Sequence, residues 1–167
     1  MELEVRPCSR SDLRTLEGKG VAPRELGLVE SRYAWQQLGD AVQLLAWIEG
    51  EYVGRATLLM RSKYSSVQDL IGEIPEVNAL EASLRGRGVG TALLDEAERQ
   101  ATQFGATAIG LAVEPSNASA IRLYAHRGFV EWQHGTVVDS WNEVDEGGKL
   151  VATHDDICTY MTKELSP

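Results

Sequence analysis

Between Leu84 and Gln100 the chain reads LRGRGVGTALLDEAERQ. Gly86, Gly88 and Gly90 alternate with Arg87 and Val89 just ahead of a helical pattern, and Arg85 stands in front of them. A helix N-terminus presents unpaired N–H groups and the positive end of the helix dipole, and glycine lets an anion reach that backbone without meeting a Cβ. Arg85 and Arg87 add charged donors at the rim. The chemistry this points to is binding of a pyrophosphate; the plainer alternative is a glycine-rich turn with two solvated arginines. The spacing is not that of the dinucleotide fingerprint G-x-G-x-x-G, and no Lys-Ser/Thr pair closes it as in a P-loop.

The elements around this loop follow from periodicity. LEVRP near the start alternates as a strand, and Ser9 or Ser11 is placed to cap a first helix that fades at Gly18-Lys19-Gly20. VQLLAWIEGEYVGRATLLMRS reads as two strands joined at Glu49-Gly50-Glu51. Residues 76–82, EVNALEA, form a strand that runs into the glycines. Val89, Leu93, Ala97 and Ala101 then recur at helical spacing, with Gly105 as the stop. ATAIGLAV is the nearly continuous apolar run of a strand covered on both faces. Asn117 caps a short helix, ASAIRLYAH, that Gly128 closes, and FVEWQ and DICTYMTKEL supply the last strands. Residues 19–40 and 134–152 give no clear element, and the second of these reads as a polar, acidic loop.

Composition narrows the function. With 25 acidic against 16 basic residues, the net charge is −9, which opposes binding to nucleic acid or to an anionic membrane surface. Cys8 and Cys158 are too few and too far apart for a disulfide framework or a metal set, so they read as reduced core thiols of a cytoplasmic protein. The opening MELEVRPCSRSD lacks the pattern of a secretory leader, and no apolar run approaches the roughly 18–20 residues of a membrane span. A single domain over residues 1–167 is expected.

The loop Arg85-Gly86-Arg87-Gly88-Val89-Gly90 is followed, in order and at suitable spacing, by Asn117, Ala120, Tyr124, Gly128 and Phe129. On these residues the chain resembles the GNAT family of N-acetyltransferases. The resemblance implies an α+β fold: a central mixed, mostly antiparallel sheet whose parallel strand pair, residues 76–82 and 107–113, splays to admit coenzyme A, with helices on both faces. It implies acetyl-CoA as co-substrate, its pyrophosphate on Arg85, Gly86, Arg87, Gly88, Val89, Gly90 and Thr91, with Leu80 and Asn117 as further contacts. No metal is implied.

The chemistry implied is direct attack of an amine on the thioester, with the carbonyl polarised by backbone near Leu80. Tyr124 would return a proton to the departing sulfur, and a base would make the amine neutral, Glu76 as first candidate and Glu73 as second. Cys158 has no histidine nearby in sequence and is a poor nucleophile. Recognition of the acceptor would fall to residues 19–40, 62–75 and 132–152. There Tyr33, Trp35, Trp132 and Trp141 could form a wall, and the acids from Asp139 to Glu146 could draw a cationic amine. The expected acceptor is a primary amine of a small molecule. A protein N-terminus or lysine, or a non-catalytic acyl-CoA-binding module, are the alternatives, and a homodimer is compatible with either.

Overall fold

In the computed structural model, which describes residues 2–166, the chain runs β1 (Leu3–Pro7), α1 (Arg10–Gly18), α2 (Pro23–Gln37), β2 (Ala41–Ile48), β3 (Glu51–Leu59), α3 (Ser65–Ile71), β4 (Glu76–Ala82), α4 (Val89–Gln103), β5 (Ala108–Val113), α5 (Ala118–His126), β6 (Val130–Val144) and β7 (Leu150–Glu164). The strands build one sheet in the order β1-β2-β3-β4-β5-β7-β6. Every neighbouring pair is antiparallel except β4 with β5. This is the mixed, mostly antiparallel sheet that the family resemblance implies.

Local chemistry explains most of these elements. Ser9 and Asp12 form a reciprocal capping box at the start of α1. Glu49 and Gly50, at φ 51° and 77°, are the two left-handed residues that a tight hairpin between β2 and β3 requires. Val89, Leu93, Ala97 and Ala101 are all buried, so α4 lies on the sheet by the face its periodicity marks. They join Leu44, Ala46, Leu58, Ile109, Leu111, Tyr124 and Phe129 in the core on one face of the sheet. The opposite face is covered by α1 and α2, where Leu16 and Val29 meet Leu45 and Trp47, and by α3, where Val67 joins Tyr160 and Trp132.

Two segments differ from the sequence expectation. Residues 19–40 hold α2, started by Pro23 in its first turn. Only Val29 of that helix is fully buried, and Gly27 interrupts it, so its apolar stripe is weak. Residues 134–152 are not a loop: β6 and β7 are each 15 residues long and pair across a turn in which Asp145 accepts from the Lys149 N–H. This hairpin extends past the core, and Val138 and Ile157, which pair across it, are both exposed. With little to cover, its strands carry no clean apolar alternation.

The parallel contact between β4 and β5 is short, limited to Glu76↔Gly110 and Val77↔Leu111. Beyond it, β4 carries a bulge against β3, between the pairs Thr57↔Asn78 and Arg55↔Glu81, where Ala79 adopts φ 54°. Arg55 holds that bulge. Only 8% exposed, its guanidinium donates to the Ala79 carbonyl at 2.5 Å, to Glu81 at 2.7 Å and to Glu25 of α2 at 2.6 Å. Glu25 also accepts from the Tyr52 hydroxyl at 2.6 Å. Burial works against the Glu25 charge, but the bonds from Arg55 and Tyr52 outweigh it and keep its carboxyl below the ordinary range.

Arg55→Leu takes the counter-charge from Glu25, which keeps only the Tyr52 hydroxyl, and leaves the Ala79 carbonyl without its donor. Loss of one partner of such a network costs about 3 kcal/mol, so the urea midpoint should fall at an unchanged slope. A midpoint equal to wild type would show that the bulge does not depend on Arg55.

Candidate active site

The bulge and the short parallel contact leave a wedge between β4 and β5, and three cavities gather around it. The first, of about 490 Å³, runs along the start of α4 and is lined by Leu80, Ala82, Arg85, Gly86, Gly88, Val89, Gly90, Thr91, Asn117 and Tyr124. Gly88 is the N-cap of α4 with φ 76° and no side-chain capping bond, and Gly86 has φ 71°. A Cβ built on either glycine would meet nothing within 4 Å, so bare backbone faces open space. The first turn of a helix has no internal acceptors for its N–H groups, so Val89, Gly90 and Thr91 present theirs at this end. The opening can therefore hold an anion.

The predicted loop residues do not all serve alike. Arg85 lines the groove, whereas Arg87 is outside its lining. Val89 is 1% exposed and anchors α4 in the core. Gly90 makes room for α5, since a Cβ there would sit 3.1 Å from Leu123 Cδ2. Asn117 caps α5 by accepting the Ala120 N–H through Oδ1 at 3.1 Å, which leaves its amide NH₂ for other contacts.

The second cavity, of about 290 Å³, fills the wedge and is lined by Tyr64, Glu76, Asn78, Leu80, Glu114, Asn117, Tyr124, Asp139 and Cys158 among others. Tyr124 lines both this cavity and the groove. Its ring packs edge-on against Phe129 at 6.1 Å, and burial raises its pKa, so the phenol stays protonated. Glu76 is 1% exposed. Its Oε1 accepts from Ser62 at 2.6 Å and from Tyr160 at 2.8 Å, and its Oε2 from the Lys63 N–H at 3.1 Å. Burial pushes its carboxyl up, the three donors draw it back, and the net displacement is upward. A protonated phenol and a carboxyl of raised proton affinity thus share one cavity.

Gly110 makes the Glu76 arrangement possible. A Cβ at that position would lie 2.7 Å from Tyr160 Cζ, so only glycine lets the ring lie across β5 and reach Glu76. Asp139 accepts from Lys63 Nζ and, at 3.0 Å, from the Tyr64 hydroxyl. Ser62, Lys63 and Tyr64 fall in the 62–75 segment expected to meet the acceptor, but their bonds to Glu76 and Asp139, and the role of Tyr160, were not foreseen from sequence. Burial lifts the Cys158 thiol to about 11, which fits its reading as an inert thiol.

The third cavity, the largest at about 640 Å³, opens on the α2 and α3 side and shares Asn78 with the wedge. Arg32, Trp35, Arg61, Ser62, Lys63 and Glu73 are among its lining residues. Glu73 does not reach the wedge: it is an exposed side chain 3.9 Å from Arg61. The aromatic wall does not assemble either. Trp35 lines this cavity, but Tyr33 packs near α1, Trp132 is buried beside Tyr160, and Trp141 stacks on His154. The acids of 139–146 are likewise dispersed along the hairpin, with Glu143 bonded to His154 at 2.9 Å.

Comparison with known proteins agrees with the architecture. The model of the Acetyltransferase (GNAT) family matches residues 13–129. No curated protein matches the chain. A ribosomal-protein-alanine N-acetyltransferase from Brucella melitensis superposes with a TM-score of 0.64 at 22% identity, over 97% of this chain and 99% of that one. The putative acetyltransferase yncA from Salmonella typhimurium, solved with acetyl-CoA, gives 0.66 at 18% identity over 100% and 96%. The paia N-acetyltransferase from Thermoplasma acidophilum, in complex with coenzyme A, gives 0.63 at 19% identity over 98% and 99%. At these identities the likeness is one of fold. Among the described residues, no group of three or more His, Cys, Asp or Glu could hold a metal, and no helix is long and apolar enough to cross a membrane.

The Glu76 carboxyl titrates above its ordinary 4.5. Because the folded value is the higher one, its contribution to stability is present in full below that pH and is lost as pH rises through the folded value. Tyr160→Phe removes a donor that favours the charged form. A hydrogen bond from a neutral donor favours the carboxylate over the carboxylic acid, so without it the Glu76 carboxyl should move further up. A carboxyl ¹³C titration reads this, and an unmoved midpoint would show that Tyr160 does not stabilise the carboxylate.

Proposed function

The chain belongs to the acetyltransferase (GNAT) family, and from that premise we propose that it transfers an acetyl group from acetyl-CoA to a primary amine of a small molecule. The observation that carries this reading is the position of Tyr124, protonated at neutral pH and lining both the glycine-loop groove and the wedge. Acetyl-CoA supplies an activated thioester carbonyl and a thiol leaving group. Bare backbone at Gly86 and Gly88, the free N–H groups of Val89, Gly90 and Thr91, and the Arg85 side chain fit a pyrophosphate. Arg87 adds charge from outside the groove's lining. Leu80 and Asn117, which line both spaces, bind along the path between them.

In this reading Tyr124 gives its proton to the sulfur as it departs, and Glu76 takes the proton of the attacking amine, directly or through water in the wedge. A small acceptor is supported by the volume of the cavity beside the wedge, whose 640 Å³ falls within the roughly 300–1,000 Å³ of small-molecule sites. The two cysteines are free and buried, which accords with a cytoplasmic location. A protein acceptor or a non-catalytic acyl-CoA-binding role would each show in a thiol-release assay over small amines and peptides: peptide-only turnover for the first, none for the second.

Gly88→Val places a branched side chain at φ 76° in the mouth of the groove. Coenzyme A stabilises wild type by mass action, about 2.7 kcal/mol at a hundredfold excess over Kd. The variant should lose most of the resulting rise in Tm, and a full rise would remove the glycine cradle. Tyr124→Phe should lower kcat by about 10²–10⁴-fold at unchanged coenzyme A affinity. Glu76→Gln keeps the acceptor atom for Ser62 and Tyr160 but not proton affinity. It should flatten the acid limb of the kcat/KM profile along with a similar loss of rate. A variant that retains both rate and limb would take Glu76 out of the reaction.

A further inference from the structure

The inner face of α2 carries Glu25, Val29, Arg32 and Gln36 at helical spacing. Val29 is fully buried, and two of the three polar members have fixed partners on the sheet. Glu25 binds Arg55 and Tyr52. Gln36 donates to the Cys8 carbonyl and accepts from the Gln43 N–H, both at 2.9 Å. Among the described residues Arg32 alone of these has no hydrogen bond or ion pair: its guanidinium lies 4.2 Å from the Trp35 ring centroid and lines the largest of the three cavities.

Among the described residues, other cations without an ion pair, such as Arg14, Arg24 and Arg122, are exposed, whereas Arg32 is half-buried. Burial and the nearby Arg55 charge both work against the Arg32 cation, so its isolation has a cost that a surface arginine would not bear. The other two cations lining the cavity are matched, Lys63 by Asp139 and Arg61, loosely, by Glu73 at 3.9 Å. The remaining carboxylate of the lining, Asp40, is exposed and makes no ion pair with Arg32, and exposed charges interact weakly. A guanidinium on an aromatic face still offers its in-plane donor fork to an oxyanion. The cavity adjoins the wedge through Asn78, and Ser62, on its wall, bonds Glu76 in the wedge.

We propose that Arg32 binds an oxyanion carried by the acceptor itself, so that the substrate is a small amine bearing a carboxylate-type group, as in an α-amino acid, rather than a polyamine or other purely cationic amine. This rests on the acetyl-transfer reading for the amine end of the molecule and is independent of it for the anionic end. The acidic hairpin does not oppose it: Asp139 faces Lys63 and Tyr64, and Glu143 faces His154.

The test pairs L-phenylalanine, L-methionine and L-glutamate with their α-carboxamides. Binding is followed by intrinsic tryptophan fluorescence, to which Trp35 beneath Arg32 contributes, and transfer by thiol release. A hydrogen-bonded charge contact of about 1.5–3 kcal/mol corresponds to a preference of roughly 10- to 150-fold for the acid over its amide. Arg32→Gln should erase that preference in both measurements, and Arg32→Lys, which retains the charge without the fork, should keep part of it. Equal binding of acid and amide by wild type overturns the proposal, as does an acid preference that persists in Arg32→Gln. Acid-selective fluorescence with no thiol release supports the anion site while removing acetyl transfer to these amines. Thiol release without acid selectivity does the reverse.

Discussion

Beneath α2, the charge of Arg55 is shared among Glu25, Glu81 and the carbonyl of Ala79. A guanidinium so enclosed is tolerable only when its donors are occupied, because desolvation of an unmatched charge exceeds what packing returns. Satisfying it forces an arrangement. Helix α2 must lie on β2 where its Glu25 can reach Arg55 on β3, β4 must carry its bulge where Arg55 can reach the Ala79 carbonyl, and β4 can no longer follow β5. The wedge is the geometric remainder of that accommodation, and both the groove along α4 and the space beneath α2 border on it.

The proposed site is consequently assembled from opposite faces of one sheet. The α4 and α5 side supplies bare helix-end backbone and the Tyr124 phenol, while the α2 and α3 side supplies Arg32, Ser62 and Lys63. Glu76 lies between them on β4, held by groups from two separate stretches of chain, Ser62-Lys63 and Tyr160. Such positioning by packed neighbours fixes proton affinity and direction together, which a carboxylate on a mobile surface loop could not do.

How much of this could be read from sequence depended on the distance over which each signal acts. The glycine loop, the Asn117 cap, the Glu49-Gly50 hairpin and the α4 stripe are local, and each was legible because neighbouring residues alone determine it. Tyr124 and Glu76 could be named as candidates, yet the burial of Glu76 depends on Tyr160, 84 residues away. Ala79 carries no mark of its left-handed backbone, since alanine favours that region no more than most residues. Arg55 left a faint trace as the lone charge inside the apolar stretch YVGRATLL, although its partner Glu25 lies in a segment that resisted assignment. The β6–β7 hairpin was missed because strands that outrun the core lose the alternation by which strands are recognised.

Considered mechanically, the sheet is a pair of plates, β1 to β4 and β5 with β7 and β6, riveted at Glu76↔Gly110 and Val77↔Leu111 and by the Gly110 N–H on the Pro75 carbonyl at 2.9 Å. Beyond those rivets, backbone groups that would close an ordinary ladder face the gap instead. An extended guest rich in amides can complete that ladder as a substitute strand, so its arrival stiffens the whole sheet across its weakest seam.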